Sequence, residues 1–479
     1  MAIMTADEYR ESIRKMKKTI FFMGERIDAM DHPVNRPALN SVALTYDLCF
    51  KPEYEDLFTV KDDFGGRVNR CLTLWKSPDD LLKKYEMIKI VAHINGRGNA
   101  RTVGADSINA IGSVSYEMDQ AMGTEYHQRF LKFLKYAQDK DLTLGGFVTD
   151  PKGDRGRRPN KQHDRDMYLR VVEKKSDGII VRGAKLHQST AVNAHEYVVS
   201  PCTSLRKGDE EYAVAFVVPA DAEGIIHFYG RQPSDTRKME DSFDIGNNMH
   251  GGNECLVVFD DVFVPWERVF MCGEVEWSIP MIHRFAGYHR NCYGAGKSAI
   301  ADIVIGAAAL MAEYNGLADN RIIQDKLSEM VHMAETIYAC GLASCVLGTP
   351  TDSGIYNVNV LYTNITKLHV GRFNYEIGRL AEDISGGAVS TLPSSKDLEI
   401  PKFGKFIEKY YKGIDEVPTE NRMRVLRLIE HFCYGPGSVY FLSESLHGAG
   451  SPQAQKLMIG RSGDFEFKKD LAKALAGIK

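Results

Sequence analysis

At 479 residues, with 44% hydrophobic and 26% charged side chains, the chain is long enough for two or three domains and a large core, and its ordinary globular composition excludes a disordered or low-complexity protein. Sixty basic against 64 acidic residues leave a net charge of −4, so bulk electrostatics gives no reason to expect nucleic acid or an anionic membrane as partner. The longest apolar run, Ile303 to Met311, is broken by Gly306 and falls far below the roughly 20 residues that span a bilayer; the N-terminus lacks the basic-then-apolar order of a secretory signal, so a cytoplasmic location is expected.

The first ~140 residues read as mainly helical, opening with the capping-box pattern Thr5-x-x-Glu8 and continuing through amphipathic segments such as Asp79 to Val91 and His127 to Asp139. From about Gly145 to Cys272 short β-rich runs alternate with turns: Tyr168 to Lys174, the turn Ser176-Asp177-Gly178, Ile179 to Arg182, then Tyr212 to Val218 and Cys255 to Val264. This middle third reads as a barrel or sandwich. Beyond Trp277 the helical period returns over Lys297 to Tyr314, Arg321 to Leu347, Val358 to Ile384 and Thr419 to Phe441, which suggests a bundle. The expected domains are 1–142 (helical), 143–275 (β) and 276–479 (helical bundle), in an α+β chain. A bundle of this length is also a natural place for subunits to meet, so an oligomer is expected. Nine scattered cysteines, an odd number with no C-x-x-C pair, read as reduced thiols and not as a disulfide framework.

Arg284-Phe-Ala-Gly-Tyr-His289-Arg-Asn-Cys292-Tyr293-Gly294-Ala-Gly296-Lys297 carries the most chemical information. If a helix runs from about His289, steps of 100° put His289, Tyr293, Gly296 and Lys297 on one face. Glycine costs about 1 kcal/mol against alanine inside a helix, so Gly294 and Gly296 read either as room for something bulky or as close helix packing around a core histidine.

Elsewhere Thr149-Asp150-Pro151-Lys152-Gly153-Asp154-Arg155-Gly156 mixes turn formers with both charge signs; it reads as a surface turn or as a loop that binds a planar ring or pyrophosphate. Gly183-Ala-Lys185-Leu-His187-Gln188-Ser189-Thr190 follows a strand and could bond the same ligand. Asp383-Ile-Ser-Gly386-Gly387 reads as an ordinary helix end or as a place where a nucleotide comes close. Glu254, before an apolar strand, and Glu444, ahead of His447-Gly448-Ala449-Gly450-Ser451, stand out by context, although surface charge is the default reading for both. There is no G-x-G-x-x-G after a strand, no Walker loop, no H-E-x-x-H and no G-x-S-x-G elbow.

Together these segments closely resemble the 4-hydroxybutyryl-CoA dehydratase / vinylacetyl-CoA Δ-isomerase group of the 4-hydroxyphenylacetate 3-hydroxylase flavoprotein family. Asp31-His-Pro with Arg36-Pro, Tyr229-Gly-Arg-Gln, Leu380-Ala-Glu-Asp-Ile, His447-Gly-Ala-Gly-Ser-Pro-Gln-Ala-Gln and the final Ala-Gly-Ile-Lys479 add to the likeness, which runs nearly end to end. The resemblance implies an acyl-CoA-dehydrogenase-like architecture with a central β-barrel domain, a homotetramer, a CoA thioester as substrate, and FAD as cofactor. It implies flavin contacts at Thr149, Asp150, Pro151, Lys152, Asp154, Arg155, Lys185, His187, Gln188 and Ser189, at Gly448, Ala449 and Gly450, and across a subunit interface at Asp383, Gly386 and Gly387. It makes His289, Tyr293, Lys297, Glu254 and Glu444 the catalytic group.

One departure is visible. The dehydratases hold a [4Fe-4S] cluster by a histidine matching His289 and three cysteines, and those cysteine positions fall here on Gly98, Thr102 and Gly296. One imidazole without thiolates is no cage for such a cluster, so none is expected, and His289 is freed to act as a base or hydrogen-bond donor. His289 and Glu444 are then the expected base and acid, with Glu254 and Lys297 tuning their pKa values and Tyr293 donating a hydrogen bond. The resemblance leaves a competing activity: a two-component monooxygenase that hydroxylates a phenol with reduced FAD from a partner reductase. The hydroxylases hold the phenol with an arginine and a tyrosine, and Ser107 stands where that tyrosine aligns.

Overall fold

The computed structural model describes residues 3–28, 32–61, 66–98, 100–234, 242–243 and 249–478; Asp31 and Lys479 of the motifs above lie outside them. The capping box forms as expected, with Thr5 and Glu8 bonding reciprocally at the start of the Ala6–Arg14 helix. Helices Pro78–Asn95, Thr102–Met122 and Tyr126–Asp139 follow. The first third is not purely helical, because the strand Thr19–Phe22 leaves it and pairs in parallel with Ile225–Tyr229 of the central sheet.

The β region consists of two open sheets and not one closed barrel. In the six-stranded sheet the order is Glu25–Arg26, Thr19–Phe22, Ile225–Tyr229, Glu254–Pro265, Gly178–Ser189 and Arg170–Lys174. In the four-stranded sheet it is Val269–Cys272, Val214–Pro219, Glu196–Val199 and Leu144–Phe147. The sheets share one apolar core in which Val257 and Phe259 of the larger meet Phe147, Tyr197 and Phe216 of the smaller, as in a sandwich. The run read as ending at Arg182 continues to Ser189. Its partner strand absorbs the extra length through a bulge, where Cys255 faces Gln188 but Val257 already faces Lys185. His187 sits in that irregularity with φ +58°, a conformation bulges favour beside functional sites.

The bundle helices are Ser278–Tyr314, Arg321–Val346, Val360–Ser385 and Thr419–Cys433. The first begins well before His289, since Pro280 falls in its opening turn, where a missing N–H loses no bond. The last stops short of Phe441: Gly435-Pro436-Gly437 break it, and the chain resumes as a π-helical turn, Val439–Ser443. By length and hydropathy alone Ser278–Tyr314 could cross a membrane, but 67% of its most apolar stretch is buried against the other helices. Helices Pro78–Asn95 and Thr102–Met122 pack on it, so elements from all parts of the chain meet near His289. None of the nine cysteines is in a disulfide.

Candidate active site

Phe285, His289, Tyr293 and Lys297 follow one another at four-residue steps along the Ser278–Tyr314 helix, and the last three line a cavity of about 80 Å³. The opposite walls are Arg97 and Gly98 after the Pro78–Asn95 helix, Thr102, Ser189 at the end of a strand, and Tyr440 with Glu444 from the π-helical turn. A π turn widens the helix and often marks a functional site; here it aims the Tyr440 carbonyl at the Lys297 ammonium, which donates to it. The two glycines of the central motif separate in role. A Cβ on Gly294 would lie 2.5 Å from the Tyr85 hydroxyl, so that glycine serves helix packing, whereas one on Gly296 would meet only Ile88, at 3.5 Å.

Gly98, Thr102 and Gly296 line the same cavity as His289. The three positions that the sequence resemblance matches to cysteines, taken as an expectation, thus converge, and the side chains present supply no thiolate there. Gly98 has φ +115° and open space around it, a backbone conformation strained for any residue with a side chain. Cys292 is the one thiol on the lining, and its sulfur lies 3.2 Å from Asp106 Oδ2. Burial and that carboxylate push its pKa far up, so it stays a protonated thiol. This donor set does not fit a thiolate-held cluster.

Behind His289 lies a buried charge chain that sequence reasoning missed. Asp106, from the Thr102–Met122 helix, accepts from His289 Nδ1 at 3.0 Å and from Lys84 Nζ at 2.9 Å. Lys84 in turn sits 4.2 Å from the Trp75 ring centroid. Burial alone would raise the Asp106 pKa, but Lys84 and His289 outweigh it and hold it below the carboxylate norm. An ionised Asp106 keeps the imidazole proton on Nδ1, leaving Nε2 as the basic atom. The donor atoms of Asp106, His289 and Cys292 are close enough together for a metal ion, yet the Lys84 ammonium already neutralises Asp106, and a second cation beside it would meet unscreened repulsion.

On the other wall Glu254 and Glu444 are hydrogen-bonded to each other. The sheet register explains Glu254: it faces Ser189 across the ladder, and the Ser189 hydroxyl donates to its Oε1. Glu444 Oε2 accepts from Lys297 Nζ at 2.7 Å. Burial and the neighbouring Glu444 charge push Glu254 up to about 8, so it holds a proton at neutral pH. Burial also presses Glu444 upward, but Lys297 and Arg97 prevail and keep it below its usual range, hence ionised. The ring of Tyr293 lies near two lysine amines, Lys297 Nζ at 5.1 Å and Lys367 Nζ at 4.9 Å from its centroid, the latter with its pKa pressed down to about 7 chiefly by burial, and meets the His289 ring edge-on at 5.1 Å. All five side chains expected to be catalytic are therefore in one place.

The expected flavin contacts divide. Lys185 Nζ reaches Asp150 Oδ1, Val148 O and Ser200 O, each at 2.9 Å, which occupies its three donors. Asp150 also accepts from Leu169 N, and Gln188 Nε2 bonds Leu186 O and Thr149 O. These three are buried and hold the two loops together through internal bonds. Asp154 is engaged in its own turn, accepting from Gly156 N and pairing with Arg157; Pro151 is half-buried beside it. Thr149, Lys152, Arg155 and His187 keep free side-chain donors among the described residues, and the His187 imidazole lies within electrostatic range of Lys152, His447 and Glu444. A hydroxyl, two cations and an imidazole offered by these two neighbouring loops are groups of the kind that bind the diphosphate and ring of a flavin nucleotide.

The loop 448–450 faces helix and not open space: a Cβ on Gly448 would overlap the Tyr293 hydroxyl at 1.7 Å, the Ala449 carbonyl accepts from Arg290 Nε, and Gly450 O accepts from Gln455. Gly386 ends the Val360–Ser385 helix in the left-handed region, and Asp383 pairs there with Lys326 at 2.7 Å. Neither Asp383, Gly386 nor Gly387 is part of the cavity lining.

The model of the 4-hydroxyphenylacetate 3-hydroxylase N-terminal region matches residues 5–271, and that of its C-terminal region matches 280–477. The chain belongs to the 4-hydroxyphenylacetate 3-hydroxylase family. It is 47% identical, over the full length of both chains, to the 4-hydroxybutyryl-CoA dehydratase/vinylacetyl-CoA-Δ-isomerase of Clostridium aminobutyricum. Among solved structures, the oxygen-tolerant archaeal 4-hydroxybutyryl-CoA dehydratase of N. maritimus superposes with a TM-score of 0.97 at 43% identity, covering 100% of this chain and 96% of that one. The oxygenase component of 4-hydroxyphenylacetate 3-monooxygenase, complexed with FAD and 4-hydroxyphenylacetate, superposes at 0.84 with 26% identity over 98% of each chain. Family membership was legible in the motifs. Asp106, Lys84, Arg97 and Tyr440 were not; the available signal was a lone acid amid the small, buried residues that open the Thr102–Met122 helix.

Proposed function

We propose that this chain is an FAD-dependent enzyme that removes an α-proton from a CoA thioester and returns a proton elsewhere, moving a double bond, without an iron–sulfur cluster. The observation that carries the reading is a carboxylate-oriented imidazole on the cavity lining, with a carboxylic acid held protonated at neutral pH directly behind the lining residues Ser189 and Glu444. On vinylacetyl-CoA, His289 Nε2 takes the C2 proton, the electron pair shifts along the chain, and Glu254 delivers its proton to C4; Glu444, ionised beside Lys297, favours the protonated form of Glu254, and the cycle closes when the proton taken by His289 passes back to Glu254. These electrostatics move the acid role from Glu444 to Glu254. Tyr293, beside Lys297 and Lys367, donates a hydrogen bond to the substrate.

Thr149, Lys152, Arg155, His187 and Ser189 would hold the flavin, which when bound supplies an electron-accepting ring beside the acyl chain. FAD is present in the related oxygenase structure, and the CoA thioester follows from the relatives' names at 47% and 43% identity. The reading includes an acyl-CoA-dehydrogenase-like layout in domains 1–142, 143–275 and 276–479, and a homotetramer in the cytoplasm. Phe465, Phe467, Leu471 and Leu475 expose apolar side chains on the C-terminal helix that a neighbouring subunit would cover. Phenol hydroxylation finds no such support: Ser107 is buried and its hydroxyl donates to Val103 O within its own helix.

Anaerobic purification tests the cofactor content: a flavin spectrum without iron is expected, and stoichiometric iron overturns the cluster-free reading. Vinylacetyl-CoA should yield crotonyl-CoA, and 4-hydroxybutyryl-CoA tests dehydration in the same assay. Consumption of NADH and O2 with a phenol and a reductase, in place of isomerisation, would refute the assignment.

A further inference from the structure

Arg97 is a buried cation with unused capacity. Its side chain is 8% exposed, and its nearest carboxylate, Glu254 Oε1, lies 4.0 Å from Nη2, beyond hydrogen-bond length. Nε of Arg97 is buried without a hydrogen-bond partner among the described residues, and the buried Tyr440 hydroxyl has no partner there other than the Arg97 guanidinium itself, so its O–H remains to be donated. They belong to one assembly, since the guanidinium carbon stands 4.7 Å from the Tyr440 ring centroid. Gly252 makes room for it: a Cβ there would lie 2.0 Å from Nε and 2.5 Å from the Tyr440 oxygen. Both side chains line the cavity that holds His289. Leaving such donors unsatisfied is expensive, and a built site that does so is waiting for an acceptor.

The neighbouring charges say which kind. Glu444 is matched by Lys297 and Asp106 by Lys84, while Glu254 carries its proton at neutral pH. Among the described residues, Arg97 is thus the cation of this cavity with no ionised partner within hydrogen-bond reach, and the site favours a neutral oxygen that becomes negative during reaction. We propose that Arg97 and Tyr440 bind the carbonyl oxygen of an acyl thioester and stabilise the enolate formed when the C2 proton leaves. The inference rests on the thioester reading above and adds the subsite that would make its C2 proton acidic. In the balanced step the C2–H bond breaks to His289, its electron pair becomes the C1–C2 double bond, and the thioester oxygen takes the charge beside Arg97.

The test compares the holoenzyme with Arg97→Gln and Arg97→Lys in two assays: isomerisation of vinylacetyl-CoA, and binding of crotonyl-CoA against S-butyl-CoA, a thioether of similar shape with no carbonyl. Arg97→Gln should lower kcat about 10² to 10³-fold, the range for removing an oxyanion donor. It should weaken crotonyl-CoA at least tenfold, as for a lost bond to a charged group, abolish the low-frequency shift of the bound thioester C=O in the infrared, and leave S-butyl-CoA affinity unchanged. Arg97→Lys should restore part of the shift. Equal losses for both ligands, or no loss in a variant that retains flavin, overturn the carbonyl subsite while a reactive wild type preserves the thioester reading. A wild type that neither isomerises vinylacetyl-CoA nor binds either ligand overturns both. If Arg97→Gln does not fold, Tyr440→Phe, which removes one oxygen, carries the same comparison.

Discussion

The two walls of the cavity are built on opposite terms. Behind His289, Lys84, Asp106 and the imidazole form a closed chain in which each group has its partner at 2.9 or 3.0 Å. Across from it, two carboxylates share a proton and an arginine and a tyrosine keep unsatisfied donors. On the first wall only His289 Nε2 is left open, and the Lys84–Asp106 pair behind it fixes geometry; the second holds capacity that only a ligand or a moving proton uses. Removing a group should therefore cost stability on the first wall and activity on the second.

The largest effect follows from breaking the closed wall. Asp106→Ala leaves the Lys84 ammonium buried without its counter-ion, and should destabilise the protein by about 3 to 5 kcal/mol, the usual result of halving a buried pair. Chemical denaturation of the holoenzyme measures it; a loss below about 1 kcal/mol would mean that water already reaches Lys84. Asp106→Asn, which keeps the shape, should instead cost mainly activity through the wrong imidazole tautomer.

His289→Ala is the contrasting case at the boundary between the walls. It removes the base but not the Lys84–Asp106 pair, so isomerisation should fall about 10² to 10⁴-fold with the unfolding midpoint nearly unchanged. If stability falls as far as in Asp106→Ala, His289 is structural and the contrast collapses.

Glu254 sharpens the comparison by pH. Its folded pKa, about 8, lies above the usual 4.5 because burial and Glu444 penalise the charged form. Between those values the folded state holds a proton that the unfolded chain has released, so stability falls as pH rises from about 4.5 to about 8 and levels off beyond. Activity that needs the acid form should fall over the alkaline limb near 8. Glu254→Gln should remove both dependences, read from melting temperature and rate against pH.

The difference between the walls also explains what was legible in sequence. The one-face spacing of His289, Tyr293 and Lys297 survives in the structure because helical period is a local property. The β strands were found but shortened: the apolar run stops at Arg182, while the strand continues through a bulge whose reason lies on the partner strand. Asp106 meets His289 across 183 residues of chain, and no local pattern reports such a contact. The bonds of Lys185 and Gln188 are equally invisible locally, since their acceptors come from the loop 148–150 and from Ser200. The end of the last bundle helix was overrun by treating Gly435-Pro436-Gly437 as part of a periodic segment, although Pro lacks the N–H the helix needs; that signal was present and local.

The smallest expected effect lies on the open wall. The Ser189 hydroxyl donates to Glu254 and stabilises its ionised form, opposing burial and Glu444. Ser189→Ala removes that opposition, so the Glu254 pKa should rise further and the alkaline limb of the rate should move to higher pH, with a stability change of about 1 kcal/mol or less. A shift in the other direction would mean that Ser189 accepts from a protonated Glu254, in which case the hydroxyl serves the acid form and the proton of the pair faces the strand and not the cavity. The direction of one small pH shift thus reports which side of Glu254 the reacting proton leaves from.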